Sequence, residues 1–389
     1  MLRPNLAWFL LIAIVIGHFG IHLAIYNRVN ATGLPRRVTK RISKFFFVLA
    51  ISIPTLITLL FFSSLRQWLV DGTFTLIGPW YVTIYGVLCL ASWLFLGIPW
   101  LMWRPLLGVE WVKAERSVES VDVQTVVGLP LALTTRCKFE SKLPLNQIFE
   151  MAKEQVTLPV VGLPPRLDGY RIAHLSDIHL TGHIHPSYAK YAVAEAMRWR
   201  PDMMILSGDI IDKQVCVDWL PEIFSQAEAV DGCYYVLGNH DTRIADSRQT
   251  RQAMDWAGWT DLGCTQVDCL LRGERVQMIG NEYPWFDRPR LPPSEEGQFR
   301  ILVSHSPDQI WWARKHGIQL MFAGHTHGGQ GRLPLIGPLL SPSYHGTRFA
   351  SGDFYKAPTT MHVSRGLGGC HLLRIHCRPE LSLVTLTVG

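Results

Sequence analysis

Nine residues in five short motifs carry the side chains best suited to chemistry. They are Asp177 and His179 in Ser-Asp-Ile-His, Asp209 in Ser-Gly-Asp, Asn239, His240 and Asp241 in Gly-Asn-His-Asp, His305 in Ser-His, and His325 and His327 in Gly-His-Thr-His. Each motif closes an apolar run, at 170–175, 203–206, 233–237, 300–303 and 319–322. A run of that length ending in polar residues reads as a buried strand delivering side chains at its carboxyl end, where open α/β sheets keep their chemistry. A turn would explain any one of them, since Gly-Asn and His-Asp are ordinary turn residues. Five such corners in one region point to a shared purpose.

The donor types narrow that purpose. Imidazole suits Zn, Mn, Fe or Ni, while carboxylate and amide oxygens keep Mn, Mg and Fe in play. The set therefore reads as a holder for two divalent metal ions of open identity. Seven donors can hold two ions only if one is shared, and a carboxylate is the side chain able to bridge. Two ions a few ångströms apart clamp the attacking and leaving oxygens of an in-line phosphoryl displacement.

Such corners need a scaffold, and the sequence from 169 to 389 supplies an α/β alternation. Helices are expected over 187–199, 218–229, 246–257 and 308–315, a hairpin around Leu270 and 276–279, and closing strands over 361–363 and 381–388. This strand-helix alternation, with no internal repeat, argues for one catalytic domain. Residues 104–168 carry no chemical motif and read as a juxtamembrane connector with strand character, alternating over 118–127 and Pro-rich over 157–165.

The first hundred residues differ in kind. Hydrophobic residues make up 48% of the chain and charged ones 17%, and the apolar excess sits in three stretches, about 6–26, 45–62 and 80–103. Each approaches the roughly 20 residues a helix needs to cross a bilayer. Trp80, Tyr81, Trp100 and Trp103 flank the third as interfacial aromatics do. A cleaved signal peptide is disfavoured: Arg3 is the only basic residue ahead of the first stretch, no small-residue cleavage site follows it, and two more stretches do. His18 and His22 share a helix face, for which helix packing is preferred to a metal or haem site.

The net charge of +6 is mild, and much of it falls near these stretches, so no nucleic-acid partner is expected. Arg28, Arg36, Arg37, Lys40, Arg41 and Lys44 lie between the first two stretches and only Arg66 between the next two; Arg104, Lys113 and Arg116 then follow the third. The positive-inside rule thus predicts a multi-pass cell (inner) membrane protein with a cytoplasmic catalytic domain. Apart from Cys89, the seven cysteines (Cys137, Cys216, Cys233, Cys264, Cys269, Cys370 and Cys377) are odd in number and without framework spacing, as in a reducing compartment.

Taken in order, Asp-x-His, Gly-Asp, Gly-Asn-His-Asp, a lone His and Gly-His-Thr-His resemble the calcineurin-like metallophosphoesterase family over about 169–389. The flanking Leu175-Ser176-Asp177, Gly328-Gly329-Gln330 and Ser364-Arg365-Gly366-Leu367-Gly368 are similar to its membrane-associated bacterial branch, which includes phosphodiesterases and hydrolases of the lipid A precursor UDP-2,3-diacylglucosamine. The resemblance implies a sandwich of two β-sheets flanked by helices, here preceded by three transmembrane helices. It implies that Asp177, His179 and His327 hold one ion, that Asn239, His305 and His325 hold the other, and that Asp209 bridges them. His240 would be no ligand but would stabilise the transition state or protonate the leaving oxygen. Asp241 would fix the tautomer of His240, the service carboxylates commonly give histidine; many family members carry Glu there, so its arm is shorter.

The expected activity is hydrolysis of a phosphodiester or pyrophosphate, in a lipid or nucleotide-activated lipid such as a UDP-diacylglucosamine-like molecule. The alternative is a soluble substrate, with the spans only setting location. The partners expected are the lipid bilayer and a phosphorylated or lipid-linked small molecule. Among remaining polar residues, His183 and His185 read as an exposed loop, Arg332 and Arg365 as phosphate contacts or structural ion pairs, and Asn281, His345 and His371 carry no assignment.

Overall fold

A computed structural model of the chain describes residues 4–71, 79–293, 295, 297–369 and 371–389; Arg3 and Cys370 lie outside the described residues. Two units can be separated, Met1–Gly108 and Val109–Gly389.

The first unit is helical: α1 (Pro4–Asn30), α2 (Arg36–Leu60), α3 (Phe62–Asp71) and α4 (Trp80–Ser92), the last running through a π-helical turn (Trp93–Gly97) into α5 (Ile98–Leu101) and then α6 (Trp103–Leu107). Three spans, Asn5–Asn30, Arg36–Leu60 and Trp80–Leu101, are long and apolar enough to cross a membrane. The second starts earlier than its apolar stretch, so Arg36, Arg37, Lys40, Arg41 and Lys44 ride on the first turns of α2 instead of a loop. His18 has the packing role the sequence favours. Pro54 inside α2 has no N–H to give Ala50, and His18 Nε2 meets that carbonyl at 2.9 Å while its Nδ1 meets the Tyr85 hydroxyl at 2.5 Å. One buried imidazole thus ties α1, α2 and α4.

The second unit contains two seven-stranded mixed sheets. Its strands begin with β1 (Glu110–Trp111), β2 (Glu115–Asp122), β3 (Glu150–Val160), β4 (Arg171–Leu175), β5 (Met203–Ser207), β6 (Cys233–Val236), β7 (Thr260–Asp261) and β8 (Gln266–Leu271). They continue with β9 (Glu274–Asn281), β10 (Phe299–Ser304), β11 (Leu320–Ala323), β12 (Arg332–Leu333), β13 (Gly337–Pro338), β14 (Gly352–Lys356), β15 (Thr359–Val363) and β16 (Glu380–Val388). One sheet has the order β1-β14-β15-β11-β10-β9-β8, the other β2-β3-β16-β4-β5-β6-β7, and β12 and β13 form a separate hairpin. β4 to β7 run parallel, as do β9, β10, β11 and β15.

Side chains alternate across each strand, and here both faces are covered, which is why these strands read as unbroken apolar runs. Ile172, Met203, Ile205 and Val236 meet Met278, Ile301, Val303 and Phe322 between the sheets. Their neighbours Ala173, Leu175, Met204 and Leu206 face the other way, onto helices α9 (Ser187–Arg198), α10 (Leu220–Phe224) and α11 (Arg248–Trp256). The stretch read as a connector supplies β1, β2 and β3 to the two sheets. Its expected strand over 118–127 stops at Asp122, whose carboxylate takes the N–H groups of Gln124 and Thr125 (3.0 and 3.3 Å) and starts α7 (Val123–Val127). α8 (Thr135–Glu140) follows it. The helix expected over 218–229 is a 3₁₀ turn, Gln214–Trp219, leading into α10, and α12 is Ile310–Lys315.

Candidate metal centre

The carboxyl ends of β4, β5, β6, β10 and β11 meet, although they come from two sheets. The Asp177 N–H donates to Gly208 O (3.0 Å), the Gly324 N–H to His305 O (3.0 Å), and the His325 N–H crosses between sheets to Asp177 Oδ2 (2.9 Å). To turn side chains inward at such sharp corners, Asp177, His179, Asp209, His325 and His327 all adopt left-handed backbone, with φ of 50°, 51°, 53°, 69° and 51°. Each such non-glycine residue costs about 1–3 kcal/mol, and such strain gathers at functional sites. Where two corners touch, only glycine fits. A Cβ on Gly238 would fall 2.3 Å from Asp209 Oδ1, and one on Gly324 1.8 Å from Ser176 Oγ.

Three groups of donors result among the described residues, one of them His179, Asp212 and His240, and Asp209 is in the other two. In the first of these two, His179 Nε2 lies 3.1 Å from His327 Nε2 and 3.5 Å from Asp209 Oδ2, and His327 Nε2 lies 3.5 Å from Asp177 Oδ1. In the second, His305 Nε2 lies 3.3 Å from Asp209 Oδ2, 3.1 Å from His325 Nδ1 and 3.1 Å from Asn239 Oδ1. His305 Nδ1 donates to the Ser207 carbonyl at 2.8 Å, which in the neutral ring puts the lone pair on Nε2.

Asp209 Oδ2 and His325 Nε2 are buried without a hydrogen-bond partner among the described residues. Buried polar atoms nearly always find partners, so a carboxylate oxygen left open between facing imidazoles fits a cation. The electrostatics agree. Burial favours a protonated Asp209, yet His305, His240 and His179 hold its carboxyl well below the usual range. Burial also opposes charge on His305, yet Asp209 and Asp177 drive its pKa up to about 9. The pocket favours positive charge at this point.

His240 sits beside the first group, its ring 4.3 Å from that of His179. Its orienting partner is not Asp241. Asp241 is buried and turned away, accepting from the backbone N–H groups of Gly238 (2.7 Å), Ile210 (3.0 Å) and Ile211 (2.9 Å), so it ties the β6 corner to the chain after β5. The histidine carboxylate is Asp212, with Oδ1 2.6 Å from His240 Nδ1 and Oδ2 2.7 Å from His179 Nδ1. Burial raises the Asp212 pKa, but the two rings hold it far below the usual range. Burial lowers the His240 pKa to about 4 against the pull of Asp209 and Asp212, which keeps that ring neutral.

Two more residues escaped the sequence reading. Arg243 pairs with Asp212 and reaches His240 Nε2 at 2.5 Å, and the Trp285 ring lies 4.7 Å from His325 and 5.4 Å from His305. Asp212 had a signal, an acid three residues after Asp209 at the same strand end; Trp285 had none. Of the unassigned polar residues, Arg365 is structural, paired to Glu154 and Glu380. Arg332 bonds Gly328 O, Asn281 bonds Gln309, His345 accepts from Trp311, and His183 meets Thr134.

A two-sheet α/β sandwich with His/Asp groups at its strand ends defines a metal-dependent hydrolase architecture, and sequence comparison agrees. Residues 170–329 match the family described as calcineurin-like phosphoesterase, so the chain carries a calcineurin-like metallophosphoesterase domain and is a hydrolase. It is 26% identical over 222 residues to phosphodiesterase YaeI of Escherichia coli, covering 56% of this chain and 82% of that protein. It is 23% identical over 276 residues to the UDP-2,3-diacylglucosamine pyrophosphatase LpxG of Chlamydia muridarum (56% and 84% covered). A Bos taurus transmembrane protein with metallophosphoesterase domain is 25% identical over 374 residues, covering 87% of this chain and 78% of its own.

Proposed function

We propose that residues 169–389 form a binuclear-metal phosphoesterase that cleaves a phosphodiester or pyrophosphate in a lipid or nucleotide-activated lipid. In this reading 1–103 anchor it in the cell membrane, and 104–168 both join anchor to catalyst and complete its sheets with β1, β2 and β3. The observation that carries it is Asp209, whose unpartnered Oδ2 faces His179 at 3.5 Å and His305 at 3.3 Å. Asp177, His179 and His327 would hold one divalent ion, Asn239, His305 and His325 the other, and Asp209 both. The ions would supply Lewis-acid stabilisation of phosphoryl oxygens and a nucleophile at neutral pH.

The chain's own residues do the rest. Asp212 holds His240 and His179 in fixed tautomers through their Nδ1 atoms. His240 presents Nε2, and Arg243, at the same nitrogen, offers its guanidinium to an anionic phosphoryl group. The three membrane-length helices and the likeness to a diacylglucosamine pyrophosphatase support a lipid substrate. An enzyme tethered in the membrane meets a bilayer-bound substrate at raised effective concentration.

The test uses detergent-solubilised full-length protein. Elemental analysis should find two divalent-metal equivalents per chain, and Asp209→Asn should lose metal and activity together. Turnover of UDP-diacylglucosamine in mixed micelles should exceed that of bis-p-nitrophenyl phosphate. Equal turnover of both, unaffected by removing residues 1–103, would favour a soluble substrate instead.

A further inference from the structure

The β12–β13 hairpin is built against its own stability in water. From 331 to 344 Arg332 is the only charged residue. Leu335 at the tip is fully exposed, and Leu333, Ile336, Leu340 and Tyr344 keep 46%, 51%, 45% and 47% of their surface accessible. Leu335 also has left-handed backbone, φ 65°, where turns normally place Gly or Asn. Strain and solvent-exposed leucine are two costs with no return inside the fold. They have a return if an apolar phase receives the tip.

We propose that this hairpin seats the second unit on a lipid bilayer, its leucines entering the hydrocarbon boundary. The proposal rests on the reading that α1, α2 and α4 span that bilayer. Two observations select lipid over another protein. First, α6 ends at Leu107 and β1 begins at Glu110, a tether of at most ~11 Å. β1 pairs with β14 through Trp111 and Phe354, and β14 starts eight residues after Tyr344. Second, the neighbouring α8 turn is basic and apolar. It carries Arg136, Lys138 and Lys142 against Glu140 alone, with Phe139 and Leu145 exposed. It joins the hairpin at a common residue, since Asn146 and Gly331 both bridge Ile375. Basic side chains are drawn to an anionic membrane surface.

The seat would lie beside the candidate metal centre. The Gln330 N–H bonds His327 O at 3.0 Å, and Arg332 Nε bonds Gly328 O at 3.0 Å, so the hairpin base is fixed to a residue of the metal set. A substrate phosphate at headgroup depth would then need no extraction from the membrane.

The test is a spin label on full-length Leu335→Cys, reconstituted in phosphatidylcholine vesicles with a minority of phosphatidylglycerol. Val230→Cys, at an exposed position of the same unit, is the control, and the signal of labelled wild type is subtracted from both. Co-flotation that survives alkaline carbonate extraction reports membrane integration separately from the label. Oxygen collisions should rise and nickel-chelate collisions fall at 335, inverting the ratio seen at 230. A label at 335 as aqueous as the one at 230 overturns the proposal. Dipolar broadening between labels at 335 overturns it too, because a second copy of the chain would then cover the tip.

Discussion

Asp212 and Asp241 show how far sequence adjacency can mislead about adjacency in space. Asp241 follows His240 directly, yet it lies in the 3₁₀ turn Asp241–Arg243 and faces backbone, whereas the carboxylate on His240 comes from 28 residues upstream. The residue types and strand-end positions of the nine candidates were legible because metal donors at the ends of apolar runs are rare by chance. Their division of labour was not, because it depends on which way each corner turns. The two acids should separate experimentally. Asp212→Asn should lower metal affinity or kcat about 10–100-fold, the usual consequence of removing a carboxylate behind a ligating histidine, and metal affinity, not the melting temperature, is the readout that sets it apart. Asp241→Asn should instead cost stability, about 1–3 kcal/mol, since one amide end would turn a donor toward a backbone N–H. Isothermal metal titration and melting of the solubilised chain give both readouts. Equal loss of metal affinity in the two variants would return Asp241 to the histidine.

At the scale of elements, the parallel strands were legible because both their faces are buried, and apolar runs closed by Gly and polar residues have few other readings. β2 and β3 were legible only in part, as alternation over 118–127 and an extended stretch over 157–165, since β2 is exposed along most of its length and lacks an apolar run. The corner glycines carry the clearest element-scale prediction. Gly238→Ala would drive a methyl to 2.7 Å from His305 Nε2 as well as onto Asp209. It should therefore abolish metal binding at the second group while far-UV circular dichroism stays unchanged; retained metal stoichiometry would count against the crossing of β5, β6 and β10 described above. A second prediction concerns the buried ions between β3, β14 and β16. Burial raises the Glu380 pKa, but Arg365, His362 and Arg116 pull it down to about 2. A carboxyl depressed in the folded state contributes stability that is present above its unfolded value and lost as pH falls. The loss should fall between pH ~4.5 and ~2 and amount to at most about 3 kcal/mol, reduced by Glu154, whose own pKa is raised by burial and by Glu380. Glu380→Gln should lower the melting temperature at neutral pH and flatten this acid limb.

For the whole molecule, the three apolar stretches were legible from length alone, whereas the start of α2 was not, because its first turns are strongly basic. That displacement leaves the orientation argument intact, since the positive-inside bias counts basic residues within about 15–20 of a span's end whether they lie in loop or helix. Three crossing spans would put 31–35 and Val109–Gly389 on one side. Under the proposed orientation, the basic excess near α2, with only Arg66 between the second and third spans, would make that side cytoplasmic. A membrane-impermeant maleimide applied to intact cells should therefore spare both Gly33→Cys and Val230→Cys, and label both after permeabilisation. The pair is needed because the two ways of failing differ. If both react in intact cells, the chain is inverted and the spans remain three. If Val230→Cys reacts while Gly33→Cys does not, one stretch fails to cross. In either case the phosphoesterase would face the other leaflet, and a substrate confined to the cytoplasmic leaflet would be out of its reach.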